Sequence, residues 1–548
     1  MAGPYALGVD YGTNSVRALI VDVTTGEEVG TAVANYPSGD QGILLDPRDP
    51  NLARQHPGDY LEGFKSCVRE ALATSNIDPS NIIGIGVDGT GSTPLPINKE
   101  GIALGVLPEF RDNLAAQAWL WKDHTSYAEA AEITTKARNY PYLAKCGGTY
   151  SSEWFWSKIL HCKRTAPEVF LAADSWVELT DYVPAAITGN IRPDQIKRSV
   201  CPAGHKAMFS EEWGGLPSKE FLSTLDPDFA DLRDRLYTQA VPSDHLAGRL
   251  SDEYAQATGL IAGTPVAVGI MDAHAGAVAS GAKAGTLVKI IGTSTCDCMA
   301  HPAEDAVPDI PGLCGIVKGS IIPGMIGLEA GQSAVGDIFN WFVSHLSPGL
   351  GHEELSNQAA TLKPGESGLL ALDWNNGNRT ILVDPLLTGT ILGLSLHTTA
   401  AETYRALIEA TAFGARKIIE RFEEYGVMVH EIVNCGGISE KNPLVMQIYA
   451  DVTNRPIRIA RSAQACAMGS AIFGAVVGGA HASTEAAQKS MAGVKEIVFT
   501  SNPASAEIYD KLYSLYSDIH DAFGNTGSNR SLNHVMKDLI AIRQSARS

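Results

Sequence analysis

Two short stretches of the 548-residue chain carry residue types that suit phosphate, and both sit where one apolar run turns into another. In GVDYGTNSVRALIVD, Asp10 ends the first run, and Gly12, Thr13 and Asn14 form the turn before the second. Gly12 lets backbone N–H groups approach phosphate oxygens, and Thr13 and Asn14 add side-chain donors. Asp10 could hold Mg²⁺, mostly through water. Taken alone, this segment is better explained as an ordinary β-hairpin. The turn returns as GTST at Gly292–Thr295 after the apolar run TLVKII, offering Gly292 and Thr293 for the same work. A third element, CGGISEKNPLVMQIYADV, sets a strand, the Gly436–Gly437 turn and a helix from Asn442 side by side. That shape suits an adenosine lying against bare backbone, although a plain turn would also produce it. Several glycine-rich strand ends spread over both halves fit a nucleotide held between two lobes.

Acid–base chemistry points to GIMDAHAGAV. Asp272 follows an apolar strand and precedes small residues, which exposes its carboxylate at a strand end. Helix N-capping competes for that residue, because Asp commonly precedes a helix. His274 reads as a packing or hydrogen-bonding residue rather than a ligand. Cys296 and Cys298 form a CxC, but no CxxC partner or His pair in the sequence completes a zinc site.

Some chemistries are excluded. There is no GxxxxGK[ST], so a P-loop ATPase is ruled out, and neither a GxSxG elbow nor an HExxH helix occurs. A lone GxGxxG at Gly84, Gly86 and Gly89 lacks the helix a dinucleotide fold needs, because Pro94 and Pro96 follow at once. It reads as a loop.

The elements that must position these residues are alternating strands and helices. Leu61, Phe64, Val68 and Leu72 recur at helical spacing between Gly58 and Ser75, and IIGIGVD (82–88) follows as a short buried strand. VAVGI (266–270) and TLVKII (286–291) repeat the opening pattern, which predicts two related lobes. Later come a long amphipathic helix over Ala401–Gly426, a strand at 431–434, a helix from Asn442 through Val452, a strand at 456–460 and a small-residue helix over Gln464–Val477. The lobe boundary is expected near Gly259–Pro265, giving lobes of 1–264 and 265–548. Between Pro94 and Pro265 the chain concentrates Trp and Tyr in WLWKDHT, YSSEWFW and SWVELTDYVP. Most of these rings are expected to be core, with a minority lining a sugar-sized pocket.

Composition sets the outer limits. Apolar residues make up 45% and charged residues 19%, an ordinary globular mix, and the length calls for more than one packed unit. With 42 Lys and Arg against 61 Asp and Glu, the net charge of −19 argues against nucleic-acid and anionic-membrane partners. Nine cysteines read as mostly buried small hydrophobes in a reducing compartment, and no secretory leader or spanning segment is evident. A cytoplasmic location is expected. Oligomeric state is not legible, and a homodimer is compatible with the sequence.

On GVDGTGSTPLPI, WKDHT, YSSEWFW, SWVELTDYVPA, AGHKAMF and LEAGQSAVGDIFNWF, together with the two phosphate turns, the chain resembles the FGGY-type carbohydrate kinases of the actin-like ATPase superfamily. The likeness runs over nearly the whole chain and is closest to the bacterial L-ribulokinase group. It implies an α/β fold of two actin-like (ribonuclease H-like) lobes around a nucleotide cleft, the first enlarged by the aromatic-rich insertion. It also implies ATP and Mg²⁺, a small sugar substrate, and phosphorylation of the terminal 5-hydroxyl of a ketopentose. L-Ribulose, within L-arabinose catabolism, is the first expectation, and D-ribulose, another pentulose or a pentitol the alternative. Asp272 would match the catalytic base; Asp10 and Thr13 the first phosphate motif; and Gly292 and Thr293 the second. Gly336 and Asn340 would fall in the nucleotide site, and Gly437 and Asn442 in the adenosine motif. Gly91 (through its backbone), Lys206 and Glu329 would contact the ketopentose. Without the resemblance, Lys206 reads as a surface lysine and Glu329 as a helix-start glutamate. An actin- or chaperone-like ATPase would explain the hairpins but neither Asp272 nor the insertion. A non-catalytic sugar-binding regulator would have no need of Asp272.

Overall fold

A computed structural model describes residues 3–525, 528–529 and 532–547. Two separate seven-stranded sheets organise the chain. In the first, the strands Tyr5–Tyr11, Ser15–Asp22 and Glu28–Asn35 form an antiparallel meander, and Ile82–Gly89 runs parallel to Tyr5–Tyr11. In the second, Thr286–Ile291, Thr295–Pro302 and Met325–Ala330 form the meander, and Glu431–Cys435 runs parallel to Thr286–Ile291. The expected repeat of two related lobes is therefore present as one strand order used twice. The GTNS and GTST turns occupy the same place in each copy.

The expected boundary at 264/265 is corrected by the pairing. Pro265–Ala267 and Ile270–Met271 both run parallel to Ile82–Gly89, so the first sheet continues through Met271. The switch to the second sheet comes after the Asp272–Ala279 helix. Sequence periodicity shows a strand but not which neighbour it pairs with.

Gly84, Gly86 and Gly89 are not a loop. They lie inside the Ile82–Gly89 strand. A Cβ on Gly84 would run into Gly474 O, one on Gly86 into Ser470 O, and one on Gly8 in the adjacent strand into Ala467 O. These glycines let the small-residue helix Ala465–Val477 lie directly on the first sheet, although that helix follows a strand of the second. Gly469 on its other side meets the backbone of Ala275. Two helices of small residues, Asp272–Ala279 and Ala465–Val477, thus form a close-packed seam with apolar residues of both sheets, including Ala6, Leu19, Val288 and Val433.

The insertion is largely core, as expected. Trp119, Trp156 and Trp176 are fully buried, and they cluster with Tyr142, Phe155 and Phe229. The long helix spans Ala400–Glu424 and starts with a Thr399/Glu402 capping box. Among the described residues, no helix is long and apolar enough to cross a membrane.

Candidate active site

Three parallel strands of the first sheet end side by side, and each ends in or next to an aspartate. Asp10 and Asp88 are register partners, and Met271, which precedes Asp272, pairs with Gly89. Ligands in open α/β sheets bind at the carboxyl ends of such strands. Here that arrangement concentrates three carboxyl groups. Burial, reinforced by Asp10, pushes Asp272 up to about 7. Burial also raises Asp10, and burial plus the charge of Asp10 raises Asp88 well above the carboxylate range. Asp88 is wholly buried; one oxygen accepts from Ser470 Oγ at 2.6 Å, and the other has no hydrogen-bond partner among the described residues. Three crowded carboxyls with an orphaned oxygen make a hard, anionic donor set of the kind Mg²⁺ takes. Asp88 was not singled out from sequence, although IGVD at 85–88 repeats LGVD at 7–10 and carried the signal.

Asp272 is the first residue of its helix, and Met271 is the N-cap. One carboxylate oxygen accepts from the Ala273 N–H at 2.7 Å. The competing N-cap reading is therefore met only in part.

Gly91, Lys206, Asp272 and Glu329 all line one cavity of about 810 Å³, within the range of small-ligand sites, about 300–1,000 Å³. The cavity also reaches Ser294 of the second Gly-Thr turn, and Trp121 and Trp154 supply the aromatic lining expected of a minority of the insertion's rings. Gly91 has no room for a side chain, since a Cβ would lie 2.6 Å from Met271 Cγ. Lys206 and Glu329 are neither at the surface nor at a helix start. Lys206 Nζ lies 3.0 and 3.2 Å from the two Glu329 oxygens, in a buried pair joining a first-half helix to a second-sheet strand. Burial opposes both charges, but Glu329 raises Lys206 in spite of it, and Lys206 together with His274 and His205 lowers Glu329 well below the carboxylate range.

The turn carrying Gly91 is held from behind by residues the sequence reading passed over. Lys158, wholly buried, donates to Ser92 O and Leu120 O, both at 2.8 Å. Glu178 accepts from the Thr93 N–H at 2.7 Å and from the Ser92 hydroxyl.

The two phosphate turns differ from expectation in detail. The Gly12 N–H closes its own hairpin onto Ser15 O at 3.0 Å, and the Asn14 amide donates to Gln41 O at 2.7 Å. The Gly12 N–H is thus used within the turn, whereas the Asn14 amide has a second N–H beyond its bond to Gln41. Thr13 remains a candidate: its Oγ1 accepts from Trp121 Nε1 at 3.1 Å, which leaves its own proton to donate. Gly292 and Gly437 face open space, and the Gly336 N–H bonds Gly292 O at 3.1 Å. A Cβ on Gly336 would come within 2.5 Å of Gly292 O and 2.9 Å of Ile438 Cδ1, so the second turn, the Gly336–Trp341 helix and the Gly436–Gly437 turn converge. Gly436 takes a left-handed φ of 100°. Asn340 is exposed on that short helix. Asn442 caps the next helix, its carbonyl accepting from the Val445 N–H at 3.2 Å and its amide donating to Ser356 Oγ at 3.0 Å. The half-buried Asn442 amide has a second N–H beyond these bonds.

Residues 5–279 match the N-terminal domain, and residues 287–477 the C-terminal domain, of the FGGY family of carbohydrate kinases. A ribulokinase of Geobacillus thermodenitrificans (strain NG80-2) is 43% identical, the match covering 100% of this chain and 99% of that one. A ribulokinase of Mycolicibacterium smegmatis is 40% identical, covering 100% and 97%. Among solved structures, a xylulose kinase from Rhodospirillum rubrum superposes with a TM-score of 0.79 at 23% identity, covering 94% of this chain and 98% of that one. Plasmodium falciparum glycerol kinase with ADP gives 0.77 at 15%, with the same coverage. These structures share the fold.

Proposed function

Because the chain belongs to the FGGY family of carbohydrate kinases, we propose that it is an ATP-dependent ribulokinase that converts L-ribulose to L-ribulose 5-phosphate. The observation that carries this reading is the convergence of Gly91, Lys206, Asp272 and Glu329 on one cavity that reaches the second phosphate turn. The sugar lies beside the Lys206–Glu329 pair, whose ammonium donates to its hydroxyls and whose carboxylate accepts from them, which fixes its orientation. Its terminal hydroxyl points at Asp272.

Phosphoryl transfer has a loose transition state, so positioning and charge neutralisation dominate. The 5-hydroxyl oxygen bonds to the γ-phosphorus as the bond from phosphorus to the leaving ADP oxygen breaks, and the hydroxyl proton passes to the Asp272 carboxylate. Thr13, Gly292 and Thr293 hold the phosphates, and the open backbone at Gly437 receives the adenosine. Asp10 and Asp88 would hold Mg²⁺, which would supply charge neutralisation to the phosphates. Asn14 and Asn442 each offer their remaining amide N–H to the nucleotide. The sugar-binding lobe comprises the first sheet and the insertion, the ATP-binding lobe the second sheet, and the enzyme works in the cytoplasm.

The test is ADP release from Mg-ATP with L-ribulose, D-ribulose, xylulose, pentitols and glycerol. L-Ribulose is expected to give the highest kcat/KM, with a 5-phosphate as product. If no sugar raises turnover above background, the kinase reading is lost; if D-ribulose or a pentitol leads, only the substrate assignment changes.

A further inference from the structure

The Thr295–Pro302 strand places two thiols on one face, because residues two apart in a strand point the same way. Cys296 Sγ and Cys298 Sγ are 3.7 Å apart. His274 arrives from the Asp272–Ala279 helix, and one ligand atom from each of the three residues lies within 4.8 Å of the others. The imidazole is held in place, its Nδ1 2.9 Å from Cys201 Sγ. Its Nε2 is buried without a hydrogen-bond partner among the described residues and lies 3.2 Å from Glu329 Oε2. Glu329 belongs to the same face, as the register partner of Cys298 across the sheet. Cys296, His274 and Glu329 also line the large cavity, so an ion can reach them from solvent.

A tetrahedral zinc ion with Zn–S bonds of about 2.3 Å holds two sulfurs roughly 3.8 Å apart. Cys296 and Cys298 already stand at that spacing. A metal-bound imidazole is normally oriented through its other nitrogen, the part Cys201 plays here. We propose that His274, Cys296 and Cys298 form a binding site for a thiophilic divalent cation of the Zn²⁺ class, its fourth position facing the cavity and the neighbouring Glu329 carboxylate. Binding joins the metal to His274 Nε2 and two thiolates and releases the two thiol protons to solvent. Mg²⁺ does not compete, since a hard cation prefers the all-oxygen group of Asp10 and Asp88. Occupation draws Glu329 from Lys206 and blocks the sugar. That last consequence rests on the proposed sugar site, whereas the binding itself does not.

The full chain, kept reduced with a non-thiol reductant, is titrated with Cd²⁺ and Co²⁺ while the thiolate-to-metal charge-transfer absorption is followed. The expected result is a band that saturates at one equivalent, is lost in Cys298→Ser and in Cys296→Ser, and persists in Cys162→Ser, whose thiol lies in the insertion core. Cys201→Ala weakens binding by roughly 10–100-fold. Absence of the band, or its survival in both Cys296→Ser and Cys298→Ser, overturns the proposal. L-Ribulose is expected to displace Cd²⁺. A band that needs both cysteines but ignores the sugar upholds the metal site and counts against the sugar-site reading.

Discussion

Asp10 and Asp88 are register partners on adjoining parallel strands, and the charge of Asp10 adds to burial in raising the carboxyl of Asp88. Like charges this close do not both ionise without a counter-charge, and Asp272 adds a third carboxyl to the group. Ser470 Oγ steadies Asp88, but among the described residues no lysine or arginine forms an ion pair with it; Arg17 pairs with Asp10, at 3.5 Å. The geometry therefore stores a demand for a cation, and the pH behaviour of the protein follows from it.

Stability should carry that signature. Asp272 is raised from 3.8 to about 7 in the folded chain, so the native state binds more protons than the unfolded state between those values. Its contribution is full below pH 3.8 and is lost as pH rises through about 7. Asp272→Asn should match the parent at low pH and exceed it above pH 7 by a few kcal/mol at most, one pKa unit being worth about 1.4 kcal/mol. Thermal melts across pH decide this, and Mg²⁺ should stabilise the parent more than the variant. Equal melting temperatures at every pH would remove Asp272 from the charged group.

Activity should run the opposite way. A base must be ionised to accept the hydroxyl proton, so kcat/KM should rise with pH and level off above an apparent pKa near 7. Asp272→Ala should lose on the order of 10²–10⁴ in kcat while still binding ATP by calorimetry. A variant with parental turnover would show that another group takes the proton.

The Lys206–Glu329 pair separates stability from recognition. Lys206→Met leaves Glu329 buried with only His205 and His274 beside it, each 3.2 Å away, and should cost about 3–5 kcal/mol. Glu329→Gln added to it should restore much of the stability, because no uncompensated charge remains. Sugar KM should stay raised by roughly tenfold or more in both, since neither variant keeps the charged hydrogen bonds, each worth about 1.5–3 kcal/mol. Recovery of KM in the double variant would assign the pair to folding alone.

Lys158 offers a subtler case. It touches only backbone oxygens behind the turn that carries Gly91, so Lys158→Met should raise sugar KM while leaving the ATP KM unchanged. Parallel changes in both constants would mean a general loss of structure.

Gly86→Ala should damage the seam between the first sheet and the Ala465–Val477 helix. Its Cβ would collide with Ser470 O, forcing the Ala465–Val477 helix off the sheet and Ser470 away from Asp88. Overpacking of this kind costs about 1–3 kcal/mol. Urea unfolding gives the number, and a midpoint equal to the parent would show that the helix can shift freely.

The sequence by itself determined what depends on near neighbours. Strands and helices followed from apolar spacing, the two turns from Gly-Thr pairs at strand ends, and Asp272 from its place after one. The two-lobe plan followed from the recurrence of that local pattern, and burial of most insertion rings from their apolar character. The tertiary structure decided what depends on pairing between distant segments. Parallel registration made Asp88 a partner of Asp10, and the same pairing drew 265–271 into the first sheet. Packing of a second-half helix on first-half strands turned a supposed loop motif into a close-packing surface. Lys206 and Glu329, 123 residues apart, look like ordinary surface charges until the lobes close over them. His274 is the buried, hydrogen-bonded residue its sequence position suggested, but only the fold sets it beside Cys296 and Cys298. The division has one physical cause: residue type and spacing act over a few positions, whereas site chemistry depends on which strand ends meet, and only the folded chain sets that.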